Sequence, residues 1–86
     1  MYTVYILRCA DETLYTGITT DVTRRLGEHN TSSLGAKYTR GRRPVTLAYV
    51  KRYRTRSTAS REEARIKRLT RPEKLALIKN QLSRIT

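Results

Sequence analysis

Two tyrosines, an arginine and a histidine near the start of the chain are spaced in a way that suits phosphodiester chemistry. Tyr5 and Tyr15 each lie in a short apolar run, Arg25 follows Tyr15 by ten residues, and His29 comes one helical turn later. A guanidinium can grip a phosphate through two hydrogen bonds, and an imidazole can exchange a proton near neutral pH. The rest of the chain must therefore supply elements that bring these four side chains together.

The pattern of apolar residues and turn residues predicts an α+β fold. Three stretches are rich in β-branched and aromatic types, which favours strands, and three others have helical spacing or helix-capping residues. The predicted order β-β-α-β-α-α implies a three-stranded antiparallel sheet flanked by helices. The last helix opens at a capping box, Thr70 to Glu73, and carries its apolar residues at core spacing. The strands are predicted over 2–9, 14–19 and 45–53, the helices over about 22–31, from Ser57 or Thr58 to about Leu69, and from Thr70 onward with Leu75, Ile78, Leu82 and Ile85 facing the core.

The register of the first hairpin decides whether the two tyrosines can share a site. A three-residue loop would pair Cys9 with Tyr15 and Leu7 with Gly17, which projects Tyr5 and Tyr15 from the same face. A loop of even length would place the two rings on opposite faces, because side chains alternate along a strand. A shared tyrosine site therefore requires an odd loop or a bulge.

The composition indicates a single small domain with a polyanionic partner. The chain has 86 residues and a net charge of +12, and Arg is much commoner than Lys. Such a field attracts phosphate backbones regardless of their sequence. Cys9 is the single cysteine, which excludes an intramolecular disulfide and favours a small buried apolar role. We find neither a signal peptide nor a membrane-spanning stretch, so we expect a soluble, intracellular (cytoplasmic) protein with no membrane partner, for which a monomer is plausible.

A carboxylate in the predicted second helix points inward. Ala59, Glu63 and Ile66 lie at helical spacing i, i+4 and i+7, so Glu63 shares the apolar face of its helix. An unpaired inward carboxylate is costly, and a cation or an arginine should therefore meet it. Two alternatives stay open: Glu62 could take this place if the register is misjudged, and Ser60 with Glu63 could form a capping box at a later helix start.

Taken in order, these residues resemble the GIY-YIG nuclease superfamily, in particular its small standalone branch. Thr3 and Thr16 depart from the family name, at strand positions that tolerate threonine. The match is to an ordered set that covers most of the chain: Val4-Tyr5, Tyr15-Thr16-Gly17, Arg25, His29, residues 14–21, residues 35–41, Glu63, Ile66-Lys67 and Leu69-Thr70.

The resemblance implies a metal-dependent endonuclease that hydrolyses DNA, with single-stranded DNA as one substrate form. By this resemblance Glu63 binds one Mg²⁺ (or Mn²⁺), and Tyr5 orients or deprotonates the attacking water. Tyr15 joins the same cluster, Arg25 clamps the phosphate and lowers the phenol pKa, and His29 binds phosphate or moves a proton. The residues alone also allow a plainer interpretation, in which the tyrosines fill a core that lacks Phe, Arg25 is solvated and His29 bonds a carbonyl.

A basic, glycine-punctuated loop over residues 35–44 is the candidate nucleic-acid groove. In a chain of this charge, cations beside an aromatic ring favour contact with DNA, whether single-stranded, duplex or branched. These charges could instead be solvated, and Tyr49 and Tyr53 could be either stacking faces or core. A non-catalytic DNA- or RNA-binding protein, recruited to repair or nucleic-acid-processing complexes, is the rival function. The candidate contacts are Lys37, Tyr38, Arg40, Arg42, Arg43 and Lys67.

Overall fold

A three-stranded antiparallel sheet with helices on both faces forms the molecule, and the predicted α+β class is confirmed. The computed structural model describes residues 1–85, and the side chains of residues 1–83. The strand order in the sheet is β2-β1-β3. The one element that the sequence did not predict is a four-residue helix, α2, inside the basic loop. The elements are β1 (Tyr2–Arg8), β2 (Leu14–Thr19), α1 (Val22–Thr31), α2 (Lys37–Arg40), β3 (Thr46–Tyr53), α3 (Arg56–Lys67) and α4 (Arg71–Ile85).

The hairpin register differs by two residues from the predicted one. Leu7 pairs with Tyr15, and Tyr5 pairs with Gly17, so the predicted pairing of Leu7 with Gly17 is wrong. The chain leaves the sheet earlier than expected, because the connection is a loop of five residues, 9–13, and not of three. The loop length is still odd, and a shift of two keeps every side chain on its face. Tyr5 and Tyr15 therefore project from the same side of the sheet.

The central strand β1 is buried on both faces, which explains its unbroken apolar run. One face packs under α3 and α4, and the other packs under α1. The first core consists of Val4, Ile6, Tyr49, Ala59, Ile66 and Ile78. The second consists of Tyr5, Leu7, Cys9 and Val45, with Val22 and Leu26 of α1 against it. The residues on the second face include the first tyrosine of the motif.

Capping side chains determine where the helices begin. Asp21 caps α1, as predicted, and accepts a hydrogen bond of 3.0 Å from a backbone N–H of the first turn. The predicted capping box opens α4, since the Thr70 N–H donates to Glu73 Oε1 at 2.8 Å. Thr55 caps α3. Ser60 consequently lies inside that helix, and the alternative box that would start α3 at Ser60 is wrong.

The apolar face of α4 is only partly the predicted one. Ile78 is buried and Leu75 is half-buried, but Leu82 is 57% exposed, so its predicted core position is wrong. The cause is that Gln81 turns toward β3 in its place. The side chain of Ile85, also predicted to face the core, lies outside the described residues.

Two side-chain amides pair with backbone as a neighbouring strand would. Gln81 Oε1 accepts from the Val50 N–H at 3.1 Å, and its Nε2 donates to the Val50 carbonyl. Asn30 does the same at Val45, with contacts of 2.7 and 3.0 Å. These amides satisfy backbone groups at the outer edge of β3 and just before its start.

Candidate active site

The Tyr5 phenol reaches from the central strand across the edge strand β2. The Tyr5 side chain is 2% exposed, and its ring lies directly over Gly17. A Cβ atom at Gly17 would stand 2.5 Å from the ring carbon Cζ, far inside van der Waals contact. Only a glycine leaves room for the phenol, so the motif glycine is explained by the position of the tyrosine ring.

His29 is fully buried and joins Tyr5 to a chain of hydrogen bonds. The Tyr5 hydroxyl lies 2.9 Å from His29 Nε2, and Nδ1 lies 2.9 Å from Thr39 Oγ1. The Thr39 hydroxyl donates to the Ala36 carbonyl at 2.9 Å. We assign the tautomer that carries its proton on Nδ1, because each of these three contacts then has one donor and one acceptor. The Ala36 N–H also points at Nδ1 from 3.3 Å, and this is the one contact that the assigned tautomer leaves unsatisfied, because both nitrogens then carry a hydrogen. His29 is thus set to accept the phenol proton.

Thr39 is a site residue that the sequence did not reveal. It is fully buried, and it holds the imidazole from α2. It lies within the stretch 35–41 that carries the family resemblance, and that stretch was the only available signal. A hydrogen bond between residues ten apart, across an unpredicted helix, leaves no periodic pattern in a sequence.

Burial shifts the pKa values of Tyr5 and His29 in opposite directions. Desolvation raises the pKa of Tyr5 to about 12, although a hydrogen bond from the nearby Arg25 opposes this. Arg25 lowers the phenol pKa, as expected, but desolvation outweighs this effect and the net shift is upward. Burial lowers the pKa of His29 below its ordinary value, and the positive charge of Arg25 lowers it further. The phenol is thus held protonated beside a neutral imidazole at neutral pH.

Arg25 is held in place by acceptors on either side. Its Nη1 donates to Glu28 Oε1 at 3.0 Å and to the Leu34 carbonyl at 2.6 Å. The guanidinium is partly exposed, and it lies close enough to Tyr5 to act on the phenol pKa. Glu28 is a second residue that the sequence analysis missed, although its i, i+3 spacing from Arg25 suits an ion pair. The arginine is thus held by two acceptors while remaining partly exposed.

Tyr15 completes the cluster through ring contacts. Its centroid lies 5.2 Å from that of His29 and 6.5 Å from that of Tyr5. It also stacks on Tyr38 at 5.8 Å with an interplanar angle of 29°. The four motif residues of the first thirty positions are therefore brought together, on the α1 side of the sheet.

Tyr38 contacts an aromatic ring and a guanidinium. It stacks on Tyr15, and the Arg42 guanidinium lies 4.0 Å from the centroid of the Tyr38 ring. Arg42 also forms an ion pair with Asp11 at 3.1 Å. Tyr38 is 38% exposed, so it remains the candidate stacking residue of the basic loop.

Glu63 lies on α3, whose core residues pack against the other face of the sheet from Tyr5. It stands between the buried Ala59 and Ile66, as predicted, and the side chain that meets it is Lys67, with Nζ 3.6 Å from Oε2. Its negative charge contributes to raising the pKa of Tyr5, which places it within electrostatic range of the phenol. Glu62 does not take its place, because it accepts a 2.9 Å hydrogen bond from Tyr53 and is paired with Arg65.

A hard divalent cation fits this donor set through Glu63 alone. The described residues contain no group of three or more His, Cys, Asp or Glu side chains that could enclose a metal. Mg²⁺ keeps several waters and is commonly held by one or two carboxylates, so a single carboxylate is compatible with it. The Thr16 hydroxyl is buried without a partner among residues 1–83, on the sheet face that α3 covers. Glu63 is thus the residue that would hold a cation here.

The predicted nucleic-acid contacts divide into two groups. Lys37 and Arg40 are exposed and have no ion-pair partner in the part of the chain that the structure describes. Arg43 is instead half-buried, and it donates at 2.6 Å to each of the carbonyls of His29 and Ser32. Arg42 and Lys67 are engaged as described above.

Two further tyrosines serve the fold. Tyr49 is 5% exposed and belongs to the first core, and the half-buried Tyr53 donates its hydroxyl to Glu62. Tyr49 therefore offers no open stacking face. Among the described residues, none of the helices is both long and apolar enough to cross a membrane.

Comparison with known proteins identifies the family. The model of the GIY-YIG catalytic domain matches residues 1–76. The chain belongs to the GIY-YIG family. Among GIY-YIG relatives, a UPF0213 protein of Desulfotalea psychrophila is 57% identical over 76 residues, which are 88% of this chain and 69% of that protein. A UPF0213 protein of Halobacterium salinarum is 54% identical over 77 residues, 90% of this chain and 99% of that one.

Two solved structures resemble this GIY-YIG chain. The solution structure of a UPF0213 protein from Bacillus halodurans has a TM-score of 0.59 and 45% identity, and covers 92% of this chain and 84% of its own. A solution structure of a protein from E. faecalis has a TM-score of 0.63 and 44% identity, with 92% and 83% covered. The recognised family and fold are thereby confirmed.

Proposed function

We propose that this protein is a metal-dependent endonuclease that hydrolyses phosphodiester bonds in DNA. The observation that carries the proposal is the buried hydrogen bond between Tyr5 and His29, with the Arg25 guanidinium next to the phenol. A protonated phenol beside a neutral imidazole is a proton relay, and an adjacent arginine is a phosphate ligand. Membership of a nuclease family supports the same activity.

The proton of the attacking water passes through Tyr5. A phenol with its pKa near 12 is a poor acceptor unless it gives up its own proton at the same time. His29 Nε2 is in place to receive that proton, while Nδ1–H remains bonded to Thr39. Tyr5 thus stays neutral while the water oxygen attacks phosphorus and the P–O bond to the leaving oxygen breaks. The negative charge of the bound phosphate offsets the cost of a buried imidazolium.

Arg25 and Glu63 have complementary roles in the proposed reaction. Arg25 binds a non-bridging phosphate oxygen as charge builds on it, and its bond to Glu28 keeps it oriented. Glu63 would hold the divalent cation, Mg²⁺ or Mn²⁺, which when bound supplies charge neutralisation at the phosphate. Tyr15 packs against both Tyr5 and His29, and so limits their motion.

We further propose single-stranded DNA as the preferred form, with Lys37 and Arg40 as backbone contacts. The support for the strand form is the likeness to the standalone branch; Tyr49 is buried, and Tyr38 is 38% exposed beside Arg42. The positive charge would equally suit a protein that binds DNA or RNA without cleaving it. A cleavage assay therefore distinguishes the two functions.

The test is cleavage of single-stranded, duplex and branched DNA with and without Mg²⁺. Tyr5→Phe removes the relay hydroxyl and should lower the rate by about 10²–10⁴. Tyr53→Phe is the matched control, because it deletes a hydroxyl that bonds Glu62 on the other side of the sheet, and it should cut at nearly the wild-type rate. Glu63→Gln, with Glu62→Gln as its control, tests the carboxylate.

Three outcomes would each remove a different part of the proposal. If the wild type binds these substrates and cuts none of them with either metal, the protein is a binder and the nuclease function is wrong. If Glu63→Gln cuts normally, the carboxylate does not hold the metal. If Tyr5→Phe and Tyr53→Phe lose rate equally, the relay is wrong.

A further inference from the structure

A cavity of about 370 Å³ lies next to Arg25, and no residue of α2 lines it. It is formed where the start of β1, the end of β2, α1 and the start of α3 meet. Its polar wall includes three arginines, Arg24, Arg25 and Arg56, together with Thr19 and Glu28. Neither Arg24 nor Arg56 is among the residues that the sequence predicted to bind nucleic acid.

The cavity carries positive charge that no acidic group among residues 1–83 neutralises. Glu28, the one acid in its wall, is taken by Arg25 at 3.0 Å. Arg24 and Arg56 are exposed, and within residues 1–83 their guanidinium groups have neither an ion pair nor a hydrogen bond. All seven acids of the chain are already engaged: Asp11, Glu12, Glu28, Glu62 and Glu63 in ion pairs, and Asp21 and Glu73 in helix caps.

Arg25 forms a common wall of this cavity and of the Tyr5 cluster. A phosphate held at Arg25 for reaction therefore has the mouth of the cavity beside it. In a polynucleotide the next charged group along the backbone, one sugar away, is another phosphate. A mononucleotide has no such second phosphodiester. Paired guanidinium groups suit a phosphate better than they suit other anions of similar charge.

We propose that Arg24 and Arg56 bind the phosphodiester adjacent to the one that is cleaved. This cavity is thus a second backbone subsite, which holds the strand in register across Arg25. That one of the two phosphodiesters is cleaved rests on the proposed nuclease function, but binding of the neighbouring phosphate does not require catalysis. Its ligand is a DNA strand, and free inorganic phosphate is the competing ligand of the same chemistry.

The experiment measures binding of a labelled single-stranded DNA oligonucleotide at several salt concentrations, in EDTA so that nothing is cut. Arg24→Ala/Arg56→Ala is compared with Arg71→Ala/Lys79→Ala, which removes the same two charges from exposed positions of α4. The control lies by β3, at the opposite edge of the sheet from β2. Neither cavity arginine supports the fold through a contact, so both variants should unfold at nearly the wild-type temperature.

We expect the cavity variant to bind roughly tenfold more weakly than the control variant, as the loss of a charged hydrogen bond implies. The slope of log K against log salt should fall by about 0.7, the value for one phosphate contact on single-stranded DNA. Inorganic phosphate at millimolar concentration should compete weakly with DNA and equally in both variants.

Equal affinities and slopes in the two double variants would overturn the subsite. So would tight binding of inorganic phosphate that the cavity variant alone loses, because the ligand would then be a free anion. A wild type that binds with the expected slope yet cuts no DNA would overturn the nuclease function and leave the phosphate subsite standing. The two failures are therefore distinguishable.

Discussion

At the scale of single residues, the site depends on one missing side chain. Gly17 makes room for the Tyr5 phenol, and the phenol in turn reaches His29. Gly17 and Gly27 differ in the space around them, since a Cβ at Gly27 of α1 would meet nothing within 4 Å. The pair therefore offers a test of whether the close approach matters.

Gly17→Ala should lower the free energy of unfolding by about 1–3 kcal/mol, because the methyl group overlaps the buried Tyr5 ring. It should also abolish cleavage, since the ring must move away from His29. Gly27→Ala should raise the free energy of unfolding by about 0.5–1 kcal/mol, as expected for glycine in an exposed helix position. Urea unfolding of both variants is the measurement, and the same sign for both would contradict the explanation.

The one histidine should make the fold sensitive to mild acid. Burial lowers the His29 pKa below that of the unfolded chain, so the unfolded state binds more protons. Stability is therefore fully present above about pH 6.5 and is lost as the pH falls through the folded pKa. The free energy of unfolding of the wild type should drop between about pH 7 and pH 5.

His29→Gln is the comparison for this window, because the chain then has no side chain whose ordinary pKa lies between 5 and 7. Its free energy of unfolding is lower at pH 7 but should be nearly flat down to pH 5. An equal drop in the wild type and in the variant would mean that His29 is not the group responsible.

At the scale of elements, the basic loop has two kinds of arginine. Arg43 bonds carbonyls at the end of α1, where helix carbonyls lack partners within the helix. Arg40, three residues earlier, is exposed and bonds nothing among the described side chains. Composition cannot separate them, but their contacts predict different consequences of losing each one.

Arg43→Ala should lower the free energy of unfolding by about 1.5–3 kcal/mol, because it leaves helix-end carbonyls without their charged donor. Arg40→Ala should change it by less than about 0.5 kcal/mol, as is usual for an exposed side chain. DNA affinity at low salt should fall in Arg40→Ala while its fold is unchanged. Thermal unfolding and DNA titration of the two variants are the measurements. An equal loss of stability in both variants would contradict this division.

The sequence was sufficient for the strands, the main helices and the four clustered motif residues, because apolar periodicity and capping residues act over a few positions. It was insufficient for the hairpin register and for α2, which depend on a loop conformation with weak local signals. It also missed Thr39, Glu28, Arg24 and Arg56. Their roles come from contacts between distant segments, or from the charges that are left once every acid is paired.

At the scale of the whole molecule, the net positive charge destabilises the folded state. With a net charge of +12 and every acid engaged, the surplus cations repel one another over the surface. Salt screens this repulsion, and a polyanion neutralises it. The charge that favours nucleic acid thus lowers the stability of the free protein.

The midpoint of thermal unfolding should rise when NaCl is increased from about 10 mM to about 150 mM, as the Debye length shortens from about 30 to about 8 Å. A DNA oligonucleotide at low salt should raise the midpoint further, because it binds the folded state. Differential scanning calorimetry would measure both effects. A midpoint that falls over the same salt range would show that the five ion pairs outweigh the repulsion.

The glutamine that pairs with Val50 also determines how the sheet meets other molecules. An edge strand with free backbone groups invites another extended chain to add to it. Gln81 fills both groups of Val50 on the outer side of β3, so a foreign strand would have to displace that amide. The opposite edge is β2, the strand that carries Tyr15 and Gly17. Gln81 thus protects one border of the sheet against the addition of another strand, and the motif residues Tyr15 and Gly17 belong to the opposite border.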